Sequence, residues 1–174
     1  MSTMVIRPIE VEDASDVQRL LNDPGVRWGT AQSGVTTVGD WRKRLGEQVG
    51  DRNAVSLGAQ VDDQIVGMVS LGRRVNPRFA HTAGLGITVR DAYTGRGIGT
   101  ALMVAILDLA DNWLNVHRVE LDVNVDNAGA IRLYEKFGFV REGVKRDLVF
   151  RAGRYVDCYG MARIRLVPDS NEGE

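Results

Sequence analysis

Short apolar runs and helix-like repeats alternate along most of this 174-residue chain. Runs rich in β-branched residues and bounded by turn residues predict strands at 4–7, 54–61, 65–71, 82–89, 119–125, 139–142, 145–150 and 155–166. Apolar residues that recur every three or four positions predict helices at 13–21, 41–49, 101–114 and 127–137. The segment 26–38 is polar and aperiodic apart from Trp28, and we expect it to be a loop. The order of elements indicates an α/β (α+β) fold with one antiparallel hairpin, whose turn is Asp62-Asp63-Gln64.

The long helix after the fourth strand has the most regular pattern. Its apolar positions fall close to the 3.6-residue period, at Ile98, Leu102, Ala105, Leu109 and Trp113. We therefore expect one face of this helix to be buried against a sheet.

A glycine-rich segment lies between the strand that ends at Val89 and this helix. It reads Thr94-Gly95-Arg96-Gly97-Ile98-Gly99-Thr100. Glycines let main-chain N–H groups approach an anion closely, and the free N–H groups and dipole of a following helix favour negative charge there. The segment predicts a site for the phosphates of a diphosphate-bearing cofactor, although a plain strand-to-helix turn has the same local pattern.

Two well-known phosphate-binding motifs do not fit this segment. A P-loop closes on Gly-Lys followed by Ser or Thr, whereas Gly99 is followed by Thr100 and Ala101. A dinucleotide fingerprint spaces its glycines as Gly-x-Gly-x-x-Gly, whereas those here are Gly95, Gly97 and Gly99. The expected ligand is therefore neither a P-loop nucleotide nor a Rossmann dinucleotide.

Composition narrows the class of protein. We expect a single domain across 1–174, with its own core and a frayed acidic tail at 168–174. The single cysteine, Cys158, excludes an intrachain disulfide, and His81 and His117 belong to no ligand-spaced cluster, so we expect no metal site. The formal net charge of −1 argues against a nucleic-acid scaffold, and no apolar run is long enough to span a membrane. We therefore expect a cytoplasmic protein.

Two motifs, in order and at a fixed spacing, resemble a known family. The first is Arg96-Gly97-Ile98-Gly99-Thr100-Ala101-Leu102, and the second is Asn127-x-x-Ala130-x-x-x-Tyr134-x-x-x-Gly138-Phe139. Together they resemble the acetyl-CoA motifs of the GNAT N-acetyltransferase superfamily, and the resemblance extends over about residues 5–165. Segments at 111–114, 118–121, 125–128 and 153–163 are similar to bacterial L-amino-acid N-acetyltransferases. They resemble less closely the enzymes that acetylate protein N-termini and polyamines.

The resemblance implies a fold, a cofactor and a set of site residues. The implied fold is a mixed, mostly antiparallel sheet, flanked by helices, in which two central parallel strands, 82–89 and 119–125, are splayed apart. Acetyl-CoA would enter between these strands, with Tyr134 near its sulfur. The implied contacts are Ile87, Thr88 and Val89 for the pantetheine arm and thioester carbonyl, Thr94, Gly95, Arg96, Gly97, Ile98, Gly99 and Thr100 for the pyrophosphate, Asn127 for the pantetheine arm, and Ala130 in the same motif. Thr94 departs from the family, which often has Gln or Arg at that position.

Direct acetyl transfer requires proton transfers, for which the sequence offers candidates. Tyr134 is a candidate acid for the departing thiolate. With reference pKa values of about 10 for tyrosine and about 8.5 for a thiol, that transfer is uphill by roughly 2 kcal/mol. The alternative is a structural role, with the Tyr134 ring packed against the sheet and its hydroxyl hydrogen-bonded. No carboxylate occupies 84–87, so the candidate bases, acting through water, are Glu120, Asp122, Asp126 and His81, each of which also fits an ordinary surface position.

The absence of an obvious base bears on the acceptor. An α-amino group, with a pKa of about 8, is easier to deprotonate at neutral pH than a lysine amine of about 10.4, by roughly 3 kcal/mol. We therefore expect the acceptor to be the α-amino group of a free amino acid or a similar small amine. Protein N-termini and polyamines are alternative acceptors. A non-catalytic acyl-CoA sensor and a transferase that docks on a protein partner also remain open.

Several loop residues are candidates for acceptor recognition. An amino-acid carboxylate prefers a cationic partner. The candidate cations are Arg27, Arg73, Arg74 and Arg78, and Trp28 and Phe79 are candidates for an apolar wall. Cys158 is a candidate acyl carrier in a two-step mechanism, although no histidine lies near it in the sequence. The resemblance also implies that two copies of this chain can form a homodimer through their C-terminal strands.

Overall fold

A seven-stranded sheet forms the centre of the computed structural model, which describes residues 3–166. The strands are β1 (Val5–Pro8), β2 (Ala54–Val61), β3 (Gln64–Arg73), β4 (Thr82–Val89), β5 (Arg118–Asn124), β6 (Val140–Arg151) and β7 (Arg154–Ile164). The helices are α1 (Ala14–Asn22), α2 (Pro24–Gly29), α3 (Val38–Gln48), α4 (Ile98–Asn112) and α5 (Ala128–Lys136), with 3₁₀ turns at Val11–Asp13, Pro77–Phe79 and Asp91–Tyr93.

The central strands β4 and β5 are parallel, and every other pairing of neighbours in the described sheet is antiparallel. The strand order is β1-β2-β3-β4-β5-β7-β6. Pairing between β4 and β5 runs from Thr82 opposite Arg118 to Gly84 opposite Glu120 and stops there, although both strands continue. The strands therefore separate beyond Gly84. This arrangement confirms the mixed, mostly antiparallel sheet with splayed central strands.

Helices cover both faces of the sheet. Adjacent residues of a strand face opposite sides, and in β3 Ile65 and Val66 belong to different apolar clusters. The larger cluster packs α4 and α5 on the side of Val66, and the smaller one packs α1 and α3 on the side of Ile65. The gap between β4 and β5 therefore lies between two helical layers.

Two segments differ from the sequence prediction. Residues 26–38, expected as a loop, include most of α2, which begins at Pro24. A proline in the first helical turn is tolerated because that turn has no partner for its N–H, so the proline that reads as a stop signal begins a helix here. The strands expected at 139–142 and 145–150 form one strand, β6, and two shifts in its register with β7 interrupt the apolar pattern.

Helix α4 buries a broader face than expected. Its buried residues are Ile98, Leu102, Met103, Ile106, Leu107 and Ala110. Ala105 and Leu109 lie half-buried at the edge of this stripe, and Trp113, which comes after the last helical residue, is 77% exposed. The expectation was therefore right for the first two positions of the face and wrong for Trp113.

Two further predictions concern the limits of the chain. The frayed tail expected at 168–174 lies outside the described residues, and one domain across 1–174 stays a prediction. Within residues 3–166, no helix is both long enough and apolar enough to cross a membrane.

Candidate active site

The glycine-rich loop turns sharply before α4. Gly95 and Gly97 have φ angles of 74° and 80°, in the left-handed region that favours glycine. Gly97 is the N-cap of α4, and its carbonyl accepts a helical bond from the N–H of Ala101. The N–H groups of residues 98–100 therefore have no partner within the helix and are available to a ligand, as an anion site at a helix N-terminus requires.

A first cavity, of about 870 Å³, extends from this loop to the gap between β4 and β5. The predicted cofactor-binding residues that line it are Ile87, Thr88, Val89, Thr94, Gly95, Gly97, Ile98, Gly99, Thr100, Asn127 and Ala130. Arg96 does not line it, and its guanidinium lies over the ring of Tyr93, 5.0 Å from the centroid. The two sequence motifs thus meet around one cavity.

Free main-chain groups on β4 add to this cavity. Residues 87–89 pair with β3 on one side, through Ile87 opposite Val69 and Val89 opposite Gly67. On the other side, pairing with β5 has already ended at Gly84. This unpaired edge suits an extended, amide-containing ligand such as a pantetheine arm, which can form main-chain hydrogen bonds as a neighbouring strand would.

Asn127 has a clear local role at the second motif. Its side-chain oxygen accepts a hydrogen bond from the N–H of Ala130 at 3.2 Å, which caps α5, and its amide nitrogen donates to the carbonyl of Gly29 at 3.5 Å. Arg132 and Leu133, one turn further along α5, also line the first cavity. Sequence reasoning missed Arg132, although its helical spacing from Asn127 and its charge were available signals.

Helix α2 and the segment that follows it form a wall of the same cavity, through Gly25, Val26 and residues 29–32. Side chains from distant parts of the sequence form hydrogen bonds with the main chain at both ends of α2. The carboxylate of Asp91 accepts the N–H of Gly25 at 2.8 Å, and the carbonyl of Trp28 accepts from Asn124 at 3.3 Å and Arg151 at 2.7 Å. Sequence reasoning expected Arg27 and Trp28 of this segment to border the acceptor pocket and did not identify the wall of the first cavity.

A second cavity, of about 750 Å³, meets the first at the gap. The residues that line both are Ser70, Leu85, Gly86 and Asp122. Much of the second cavity is bounded by glycines, namely Gly72, Gly84, Gly86, Gly143 and Gly160. An added Cβ would meet no atom within 4 Å at the first four, so the missing side chains leave this space open.

Charged side chains around the second cavity are paired with one another. Arg118 lies 3.2 Å from Glu120 and 2.5 Å from Glu142, Arg74 also pairs with Glu120, and the Lys145 nitrogen lies 2.8 Å from Asp122. The hydrogen bond from Arg74, with a further bond from Arg118, lowers the pKa of Glu120. Glu120 is therefore a weak base.

The other candidate bases differ in position. Asp122 lines both cavities, whereas Asp126, which pairs with Arg151, and His81 line neither. The ring of His81 faces that of His117 at 6.4 Å, before β4 begins. Asp122 is therefore the candidate that the fold brings to the junction. Within residues 3–166, no three metal-ligating side chains come together.

Tyr134 is buried and lines the first cavity. Its ring packs against Phe139 at 5.8 Å between centroids, and its hydroxyl has no hydrogen-bond partner among the described residues. Burial raises the pKa of Tyr134 to about 12. The ring thus has a packing role, while the hydroxyl is free to donate to a ligand.

The candidate acceptor residues are mostly elsewhere. Arg74 lines the second cavity, but neither cavity is lined by Arg27, Arg73, Arg78, Trp28 or Phe79. Cys158 is buried, donates to the side-chain oxygen of Asn124 at 3.3 Å, and lines neither cavity. Burial and the nearby carboxylates raise the pKa of this thiol, which makes it a poor nucleophile.

Comparison with known proteins gives consistent matches. The model of the acetyltransferase (GNAT) family matches residues 16–139. L-amino acid N-acetyltransferase AaaT of Escherichia coli is 38% identical, over 95% of this chain and all of that protein. Spermidine N(1)-acetyltransferase of Vibrio cholerae is 33% identical over 58% of this chain and 59% of that protein. The crystal structure of a GNAT-family acetyltransferase from Streptococcus pneumoniae superposes with a TM-score of 0.83 at 26% identity, covering 93% of this chain and 99% of that one.

Proposed function

The chain belongs to the acetyltransferase (GNAT) family, and on that premise we propose that it acetylates the α-amino group of a free amino acid or similar small amine. Membership confirms the resemblance of the two motifs and makes the chain an acetyl-CoA-dependent N-acetyltransferase rather than an acyl-CoA sensor. We propose direct attack in a ternary complex. The junction of the two cavities carries this proposal, because a donor in the first and an amine in the second would meet there.

The proposed donor site uses the loop and the free edge of β4. The N–H groups of residues 98–100 bind the pyrophosphate, and the main chain at 87–89 pairs with the pantetheine arm. Asn127 binds the same arm through its amide, and Arg132 adds a cation near the phosphates. Thr94 lines the cavity at a position where the family often has Gln or Arg, but it carries no charge. Arg132 therefore supplies part of the positive charge that an arginine at position 94 would provide.

Tyr134 has the role of a hydrogen-bond donor in this proposal. With a pKa of about 12, full proton transfer to a thiolate of about 8.5 is uphill by about 5 kcal/mol. Tyr134 therefore stabilises the leaving thiolate by donating a hydrogen bond and keeps most of its proton. Asp122, which lines both cavities, receives the proton of the amine.

Charge balance in the second cavity favours a zwitterionic acceptor. Its lining carries the cations Arg74, Arg118 and Lys145 and the carboxylates Glu120, Asp122 and Glu142. A polyamine carries only positive charge and gains most from an acidic pocket, whereas a free amino acid carries one charge of each sign. The relative that acts on L-amino acids also aligns over more of the chain than the spermidine enzyme does.

The test is acetyl-CoA-dependent thiol release with a panel of free amino acids, polyamines and N-terminal peptides, with products identified by mass spectrometry. We expect acetylated amino acids. In Gly84→Val, the new side chain occupies open space in the second cavity alone, so we expect the acceptor KM to rise at least about tenfold and the acetyl-CoA affinity to stay unchanged. Gly46→Ala in α3, which lines neither cavity, is the control. Turnover with spermidine or peptides alone would contradict the proposed acceptor.

The pH profile gives a separate prediction. We expect kcat/KM for an amino acid to rise with the neutral fraction of its amine and to level only above the pKa of that amine. Since burial raises the pKa of Tyr134 to about 12, this hydroxyl keeps its proton to about pH 10, and no decline sets in below that. Thiol release at low acceptor concentration between about pH 6 and 10 measures this. A fall that begins near the usual tyrosine pKa would contradict it.

The predicted homodimer and cytoplasmic location stay predictions. Support for a dimer comes from β6, an edge strand that exposes the apolar residues Val140, Val144, Leu148 and Phe150. The unpaired main-chain groups of an edge strand can pair with the same strand of a second copy.

A further inference from the structure

One ion pair in the second cavity differs from the others. Lys145 on β6 places its nitrogen 2.8 and 2.9 Å from the two carboxylate oxygens of Asp122 on β5. The pair lies over Gly160 of β7, where an added Cβ would come within 3.6 Å of Lys145 Cε and 3.7 Å of Asp122 Oδ1. The pair therefore lies close against the main chain of β7.

The neighbouring charges are less available to a ligand. Glu120 is bonded to both Arg74 and Arg118, and Arg118 also bonds Glu142. Each of these groups is part of a chain of contacts, which an incoming charge would have to break. Lys145 and Asp122 bond only to each other among the described residues, and their side chains are 54% and 40% exposed.

We infer that Lys145 and Asp122 together form the subsite for the zwitterionic head of the acceptor, with the ammonium group at Asp122 and the carboxylate at Lys145. This inference rests on the proposed acetylation of free amino acids. Lys145 and Asp122 present a cation and an anion in contact, and an α-amino acid carries an ammonium and a carboxylate one carbon apart. With the ammonium at Asp122 and the carboxylate at Lys145, each charge lies next to charges of the opposite sign.

The positions of the two residues also set the direction of the acceptor. Asp122 lines both cavities, whereas Lys145 lines the second alone. An acceptor held by both therefore presents its amine at the junction with the donor cavity and keeps its carboxylate away from it. A polyamine would place a cation against Lys145 instead, and the pair thus discriminates between the two classes of acceptor.

The test compares kcat/KM for one amino acid with kcat/KM for its carboxamide, in wild type and in Lys145→Met. The carboxamide keeps the amine but lacks the negative charge. We expect the acid-to-amide ratio to fall about 10- to 100-fold in Lys145→Met, as for the loss of a charge-assisted hydrogen bond. Because the same two substrates are compared in each protein, the difference between their amine pKa values cancels.

Two further variants make the result specific. Lys43→Met removes another exposed lysine that is paired with an acid, Glu47 at 3.9 Å, and we expect it to leave the ratio unchanged. Lys145→Arg keeps a cation, and we expect it to retain most of the wild-type acid-to-amide ratio. Acetyl-CoA affinity close to that of wild type shows that each variant is folded.

Different failures have different meanings. If wild type acetylates amino acids and neither Lys145→Met nor Lys145→Gln moves the ratio by more than about twofold, the subsite is wrong and the proposed function stands. If wild type gives no acetylated amino acid at all, the proposed function fails and the subsite fails with it.

Discussion

Replacing Tyr134 with phenylalanine lowers kcat about 10- to 100-fold and leaves the affinity for acetyl-CoA close to that of wild type. The change removes a buried hydroxyl that has no hydrogen-bond partner among the described residues and keeps the ring that packs against Phe139. Folding therefore loses little. The loss appears when negative charge develops on the leaving sulfur, because a hydrogen bond to a charged group contributes about 1.5–3 kcal/mol.

Steady-state thiol release measures this effect, and isothermal titration with acetyl-CoA measures the affinity. Tyr155→Phe is the matched control, since this exposed tyrosine contacts Phe150 at 5.3 Å between ring centroids and lines neither cavity. We expect its kcat to equal that of wild type. An unchanged kcat in Tyr134→Phe would leave this tyrosine with the packing role alone.

The lining of the first cavity was largely predictable because its signals are local. Gly95 and Gly97 lie next to the helix they start, and the left-handed backbone at both positions is what glycine in a short loop favours. Asn127 and Tyr134 are seven residues apart on the helical spacing of α5, so one motif carried both to the same cavity. The splayed strands followed from family resemblance, since periodicity predicts strands and not their pairing.

The α2 wall of the first cavity and the whole second cavity were not predictable, because both depend on contacts between residues far apart in the chain. Asn124 and Arg151 meet the carbonyl of Trp28 across 96 and 123 residues. The cavity around Gly84 and Gly160 exists only once β4, β5 and β7 lie together. A strand glycine leaves open space only where no other residue fills it, and the sequence does not show which residues lie nearby. Among the loop arginines considered as candidates, Arg74 lines the second cavity, whereas Arg27, Arg73 and Arg78 line neither.

Two substitutions at position 97 change the charge at the proposed phosphate site while keeping the same side-chain shape. Asn and Asp have almost the same size, and both tolerate the left-handed backbone that Gly97 adopts at φ 80°. No atom lies within 4 Å of an added Cβ there, so both Gly97→Asn and Gly97→Asp fit the space. The two variants differ only in a negative charge beside the N-terminus of α4.

We expect that charge to act in opposite directions on folding and on binding. In the free protein, Gly97→Asp is more stable than Gly97→Asn by about 0.5 kcal/mol, because a negative charge interacts favourably with the helix dipole. Its acetyl-CoA affinity is lower by about 10- to 100-fold, because the same charge repels the pyrophosphate and competes for the N–H groups of residues 98–100.

Thermal unfolding without ligand and titration with acetyl-CoA, each at low and high salt, measure the two effects. Salt should shrink the difference in affinity, since screening weakens repulsion between partly exposed charges. Equal affinities in the two variants would mean that the loop is a plain strand-to-helix turn with the phosphates bound elsewhere. Opposite signs for stability and affinity have no explanation in packing or strain, which the two variants share, and therefore identify the start of α4 as the anion site.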